Sequence, residues 1–208
     1  MIYEHGKERK IYMPEIHEQW LHHIIILILA PIIMATSYEF SCGSFPGRGA
    51  HYGKRQIERW LRKDTKGMKY FLKIDIRHFY NNIRVDILFK ELKIRIKDEW
   101  FLHVIRVCLT GFKKGIPLGF YISQWLANYM LEYLDKFILS EYNVYVRYMD
   151  DMTIFSSSKK KLRKVLCDIK QILGRRYRRK LKHNYQIYRM HYEGKRIMGC
   201  PRSDERRV

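Results

Sequence analysis

Apolar and polar positions follow two rhythms along this chain, and the switches between them mark out its elements. Ile24 to Ile33 is a nearly unbroken apolar run, with Ile16, Trp20 and Leu21 as anchors ahead of it. It predicts a buried helix that stops near Pro31, because proline removes a backbone donor. From Phe71 the rhythm changes to period two: Leu72, Ile74 and Ile76 point one way, and Phe71, Lys73 and Asp75 the other. That alternation predicts a strand ending in an acid. Val85, Leu88, Phe89 and Leu92 return to helical spacing and predict a helix from Val85 to Ile96. Asp98 is the expected N-cap of a second helix through Phe101, Val104, Ile105, Cys108 and Leu109, closed by Gly111. Gly115, Pro117 and Gly119 mark a turn, and Ser123 is the expected N-cap of the helix after it. That helix carries a stripe at Leu126, Tyr129, Met130, Tyr133, Leu134, Phe137 and Ile138. Val144 to Arg147 and Met152 to Phe155 read as two short strands around a tight turn. Leu162, Val165, Leu166, Ile169, Ile172 and Leu173 form the last stripe, on a helix with a basic outer face.

Charge narrows the class of partner. Lys and Arg number 41 against 21 acids, a formal net charge of +20, so a polyanion is the expected partner. Sixteen Tyr, ten Phe and four Trp offer stacking surfaces among the cations, which favours nucleic acid over a membrane surface. Between Lys159 and Lys182 there are twelve Lys or Arg and one acid, Asp168, enough to neutralise several phosphates. The apolar run is too short for a bilayer, which needs about 20 apolar residues, so no membrane role is expected. Hydrophobic residues make up 47% of the 208, enough for a packed core. The four cysteines form no Cys-x-x-Cys pair, so neither a zinc ribbon nor a disulfide framework is indicated, and a reducing cytoplasm is the simple expectation.

Chemistry concentrates in the turn Tyr148-Met149-Asp150-Asp151. Adjacent acids beside apolar strands are costly to bury without a counter-charge. If the Asp75 strand is a sheet neighbour, three carboxylates meet at one point and form an oxygen-rich site suited to Mg²⁺. Two such ions about 3.5–4 Å apart would clamp an in-line phosphoryl transfer. The glycine-rich turn Ser41 to Lys54, including Pro46-Gly47-Arg48-Gly49, leads into a helix and suits close approach to a phosphate.

Asp75 followed by Phe79-Tyr80, and later Tyr148-Met149-Asp150-Asp151, resemble motifs A and C of reverse transcriptases. The resemblance spans roughly Ile16 to Lys182. It implies an α+β polymerase palm, an antiparallel sheet backed by helices, with N-terminal fingers. The implied divisions are residues 1–70 (N-terminal segment and fingers), 71–182 (palm with interleaved fingers elements) and 183–208 (a motif E remnant and polar tail). The implied reaction is RNA-directed DNA synthesis with two Mg²⁺, or Mn²⁺ in their place. Asp75 and Asp150 would bind both ions, with Asp151 as a ligand or outer-shell acid. Arg48 resembles the triphosphate contact of the fingers, with Lys54 as a second candidate. Tyr80 resembles the steric gate against a 2′-hydroxyl. Leu118, Gly119, Ser123, Gln124 and Asn128 fall in motif B, under the template and incoming base.

Many reverse transcriptases carry Gln-Gly-x-x-x-Ser-Pro in motif B. Here Leu118 stands for Gln and Gln124 for Pro, which resembles the enzymes of diversity-generating retroelements, although other bacterial types, including defence-associated ones, share such variants. The motif D lysine has no clear counterpart: Gln186 and Ile187 occupy its expected place, and Lys180 and Lys182 are only substitutes. The resemblance expects a thumb after motif E, whereas Arg196-Ile197-Met198-Gly199-Cys200 is followed only by a polar tail. The implied partners are an RNA template, a DNA or RNA primer, deoxynucleoside triphosphates and an accessory protein. A non-catalytic RNA-binding module and a peripheral membrane protein are the rival classes.

Overall fold

A computed structural model describes residues 2–4, 7–9, 11–112, 115–142, 144–190, 192–193 and 196–197. An antiparallel pair, β1 (Ile2–Glu4) and β2 (Lys7–Arg9), precedes the long helix α1 (Ile16–Met34). β3 (Ser41–Cys42), a glycine-rich loop and α2 (Ala50–Lys63) follow. β4 (Tyr70–Asp75) runs through the short α3 (Phe79–Asn82) into α4 (Val85–Arg95) and α5 (Glu99–Cys108). α6 (Tyr121–Met130) and α7 (Glu132–Glu141) lead to the hairpin of β5 (Tyr145–Tyr148) and β6 (Asp151–Ser156). Then come α8 (Lys159–Arg175), β7 (Gln186–Arg189) and a small pair, β8 (Tyr192–Glu193) with β9 (Arg196–Ile197). Residues 198–200 of the expected motif E remnant, and the polar tail after them, lie outside the described residues.

The central sheet has the order β3-β5-β6-β4-β7. Its β5-β6, β6-β4 and β4-β7 joints are antiparallel, as expected of a palm. β3 departs from that expectation by joining β5 in parallel, Ser41 opposite Arg147 and Cys42 opposite Tyr148. A parallel neighbour needs a long crossover, and the chain between these two strands supplies it.

Period-two patterning decides which face of β4 is dry. Leu72, Ile74 and Ile76 are at most 1% exposed and join Tyr145, Met152 and Ile154 in the main core. α8 packs on β4 and β6, with Leu162, Val165, Ile169 and Leu173 in that core. Four buried aliphatic side chains contribute on the order of 6–12 kcal/mol. That suffices to seat α8 without its cations, so Lys159, Lys160, Lys161, Arg163, Lys164 and Lys170 stay exposed and available to a ligand. Beneath α2, Leu61, Met68, Phe71 and Phe155 form a second, smaller cluster.

Three expectations are corrected. α1 does not stop near Pro31 but continues to Met34, and only one of its faces is buried. Pro31 and Leu27 both lie on the exposed side, so the carbonyl left without its N–H partner is on the wet side of the helix. Ser123 is not an N-cap: Phe120 holds that position, and Ser123 is buried inside α6 with no hydrogen-bond partner on its Oγ. The stripe from Leu126 to Ile138 is split between two helices at Leu131. Asp98 does cap α5, accepting from the Phe101 N–H at 2.9 Å.

Candidate active site

The sheet register brings the acids together. Asp75, the last residue of β4, stands directly opposite Asp151, the first of β6. Asp150 sits in the hairpin turn beside them, after Met149 in the left-handed region at φ 53°. Such a conformation is unfavourable for a non-glycine residue and needs support from its surroundings. Two backbone bonds supply part of it: the Met149 N–H donates to the Cys42 carbonyl at 3.1 Å, and the Met149 carbonyl accepts from Arg147 Nη1 at 2.9 Å.

Arg147 is the centre of that support and is 1% exposed. Its Nε and Nη2 donate to the two Asp135 oxygens at 2.8 and 2.6 Å. Nη1 also reaches Asn128 Oδ1 at 2.9 Å, and Nη2 reaches Ser41 Oγ at 2.6 Å. Asn128 is itself buried, and its Nδ2 donates to the Gly43 carbonyl at 3.1 Å. One guanidinium thus ties α6, α7 and β3 to the acid-bearing turn. Gly43 has φ 93°, and a Cβ there would press on the Met149 side chain at 3.0 Å, so the glycine lets the loop lie against the turn.

The carboxylates show a shortage of positive charge. Burial, and then the charge of Asp75, push the Asp150 carboxyl from 3.8 up to about 6. The same two causes raise Asp151. Asp75 Oδ1 is buried with no hydrogen-bond partner. Lys182, which follows the bridge between Ile76 and Leu181, ion-pairs with Asp75 Oδ2, while its backbone N–H donates to the Asp75 carbonyl at 2.9 Å. Among the described residues no group of three His, Cys, Asp or Glu side chains is closed enough to enclose an ion. The all-oxygen donors, the partnerless Oδ1 and the raised carboxyls nevertheless fit a hard divalent cation such as Mg²⁺ or Mn²⁺.

A carboxyl whose folded pKa exceeds its unfolded value holds its proton more tightly in the folded state. In chelator-treated protein, the Asp150 contribution to stability is therefore expected to fall as pH rises from 3.8 to about 6, and to level off above. Thermal unfolding of the wild type and Asp150→Asn across that range checks this. A wild-type advantage that grows with pH would contradict it.

The other candidate residues surround the acids at different depths. Tyr80 is half-buried, edge-on to Phe79, and its phenol is pushed up by burial and then by the Asp150 charge, which places it near that acid. Its carbonyl accepts from the Ile116 N–H at 3.0 Å, fastening the motif B loop to the α3 turn. Leu118 is half-buried, and its carbonyl accepts from the Tyr12 N–H at 2.8 Å. Gly119 has φ 109° and is pressed so closely on the Tyr12 carbonyl that no Cβ fits. Gln124 is exposed on α6. Arg48 donates to Ser37 Oγ at 3.1 Å and to the Tyr38 carbonyl at 3.4 Å. Lys54 lines a cavity of about 670 Å³ with Asp151, Lys73, Tyr148 and Met190. The structure thus gathers Asp75, Asp150, Asp151 and Tyr80 at one point and sets Asn128 directly behind it. It attaches the Arg48 loop through Gly43, and leaves Leu118, Gly119 and Gln124 on the neighbouring loop and helix.

Two participants escaped the sequence reading. Lys182 enters the sequence reading only as a substitute for the motif D lysine, whereas the structure pairs it with Asp75. Arg147 carried a signal nonetheless: it is two residues from Tyr145, so both point to the same, dry side of β5.

Comparison with known proteins bears on this geometry. The family model for "Reverse transcriptase (RNA-dependent DNA polymerase)" matches residues 4–184. Protein YkfC of Escherichia coli K12 is 23% identical over 149 residues, 66% of this chain and 39% of that protein. The group II intron-encoded protein LtrA of Lactococcus lactis is 27% identical over 143 residues, 64% of this chain and 23% of that protein. The chain thus spans less than two fifths of the length of either relative. Among solved structures, telomerase from Candida albicans, in complex with a fragment of telomeric RNA, superposes with a TM-score of 0.59 at 12% identity, covering 84% of this chain and 34% of that one.

Proposed function

Because the chain belongs to the reverse transcriptase family, we propose that its acid cluster carries RNA-templated DNA synthesis in a bacterial or phage retroelement. The observation that carries this reading is the Asp75–Asp151 register with Asp150 in the adjoining β5–β6 turn. Asp75 and Asp150 would hold two divalent cations, with Asp151 as a third oxygen donor. Such ions, when bound, favour the attacking 3′-alkoxide and stabilise the departing pyrophosphate. The chain's own residues do the rest. The Arg147 network holds the turn in one geometry, so the carboxylates need no reorganisation as charge develops. Arg48 and Lys54 are the cations for the triphosphate, and Arg48 would exchange its bonds to Ser37 and Tyr38 for phosphate oxygens. Lys182 holds Asp75 through Oδ2, which leaves the partnerless Oδ1 to face a cation.

Tyr80 is assigned to exclude the 2′-hydroxyl. Tyr80→Ala is expected to raise ribonucleotide incorporation relative to deoxynucleotide by about 10²-fold or more, a loss of roughly 3 kcal/mol of discrimination. Single-nucleotide competition assays check it, and unchanged discrimination would remove the assignment. Leu118 and Gln124 support an error-prone enzyme of the diversity-generating type, because an apolar residue cannot make an amide's hydrogen bonds near the base pair. The exposed cations of α8 suit the template or primer backbone. A cytoplasmic setting and an accessory protein belong to the same reading.

The test is primer extension on an RNA template with Mg²⁺ and with Mn²⁺, beside Asp150→Ala. Extension that disappears in the variant supports the polymerase. Salt-sensitive RNA binding without extension under either metal would favour a binding module instead.

A further inference from the structure

α1 has two apolar faces and only one of them is covered. Ile25, Ile26, Leu29 and Ile33 are at most 5% exposed, packed in the main core. On the other side Ile16 is 75% exposed, Trp20 69%, Ile24 55% and Leu27 77%, with Leu21 and Ile28 beside them. Ile16, Trp20, Ile24 and Leu27 follow one another at intervals of four, four and three, which is the spacing of a helix–helix seam.

Charge says what kind of surface meets this one. The chain carries 41 Lys and Arg, yet none falls between Ile11 and Thr36, where the only formal charges are Glu15 and Glu18. A polyanion would be drawn to the basic face of α8, and this helix offers an anionic membrane no lysine or arginine of its own. The face therefore fits protein. It also adds no positive charge of its own to a contact between two copies of a +20 molecule. Taking about 200 Å² for a fully exposed large side chain, the six residues offer on the order of 700 Å², close to one partner's share of a standard interface. An antiparallel arrangement keeps Glu15 and Glu18 of the two copies apart, whereas a parallel one would set the four acids side by side.

We propose that the outer face of α1 is a homodimer interface, in which two copies pack this helix antiparallel about a two-fold axis. The contact is isologous, so each stripe residue of one copy meets the stripe of the other. Repulsion between two basic molecules opposes association and is screened by salt. Dimerisation therefore strengthens as salt rises, whereas binding to nucleic acid weakens.

Sedimentation equilibrium of the full chain, at low and high salt and up to about 100 μM, tests this. A salt-strengthened dimer is expected in the wild type. Trp20→Glu combined with Leu27→Glu is expected to weaken it at least a hundredfold. Both sites face solvent, so the circular dichroism spectrum should not change. Trp100→Glu, an equally exposed tryptophan on α5, should leave the dimer intact. A monomer throughout the range would overturn the proposal, as would a dimer that survives the double variant. Capture of the wild type by anionic vesicles, lost in the double variant while the protein stays monomeric, would overturn it in favour of a lipid surface.

Discussion

Replacing Asp75 with Asn is expected to lower primer extension by about a thousandfold or more while leaving the folded protein in place. The change keeps the side chain's shape, and Asn can still accept from Lys182. What it removes is one of three negative charges where β4 meets the β5–β6 turn. Charge stabilisation of several kcal/mol in the transition state depends on holding cations there, and each 1.36 kcal/mol is about tenfold in rate. Loss of Asp75 also relieves Asp150, whose carboxyl that charge helps raise, so the variant's Asp150 should titrate lower than the wild type's value of about 6. Mn²⁺ binding followed by electron paramagnetic resonance gives a readout separate from turnover. Full activity or unchanged Mn²⁺ affinity in Asp75→Asn would show that the acids do not work as a set.

The second large effect lies one layer deeper. Arg147→Ala is expected to destabilise the fold by about 3–5 kcal/mol, because it leaves Asp135 charged and buried without its partner. For a chain of this length that is a drop of roughly 10 °C in Tm. The pair replacement Arg147→Met with Asp135→Leu should recover part of that loss, because it removes the unpaired charge but leaves Asn128, Ser41 and the Tyr145 hydroxyl without their partners. Activity should not recover with it. The Met149 carbonyl, which accepts from Arg147 at 2.9 Å, would still lack its donor, and the turn carrying Asp150 would lose its fixed geometry. Stability and extension rate measured on both variants separate the two roles. An active pair variant would reduce Arg147 to a packing residue.

The contrast between Asp75 and Arg147 shows what could be read from the sequence. Asp75 was legible because its neighbours alternate with period two, and because a second strand pair with acids at its turn follows in the expected order. Those are local signals, and the register Asp75 to Asp151 follows once the strands are neighbours. Arg147 and Asp135 each sit on an apolar face, between Tyr145 and the turn, and between Leu134 and Ile138. A buried cation and a buried anion in separate elements predict each other, since neither is tolerable alone; read separately, they pass for surface residues. Lys182 was harder. Its meeting with Asp75 depends on a single bridge between Ile76 and Leu181, for which no repeat or turn gives warning. Ser123 misled because serine favours caps on average, while the actual start of α6 is set by the loop that Gly119 allows to press on Tyr12. The parallel placement of β3 was out of reach of periodicity, because two residues show none.

The order of the central sheet also governs how the protein is made. Lys182 meets Asp75 across 107 residues and Arg147 meets Ser41 across 106, so the site is assembled from distant segments. At about 5–20 residues per second, a ribosome needs roughly 5–20 s to deliver the second partner after the first. Until β6 is made, well into that interval, β4 has neither of its neighbours, and its apolar Leu72, Ile74 and Ile76 are without their final cover. Long-range pairing of this kind makes folding slow, and the waiting strand is a template for wrong partners. The nascent chain is thus expected to need a holding chaperone, and to gain its cluster of acids only after β6, which ends at Ser156, has left the exit tunnel.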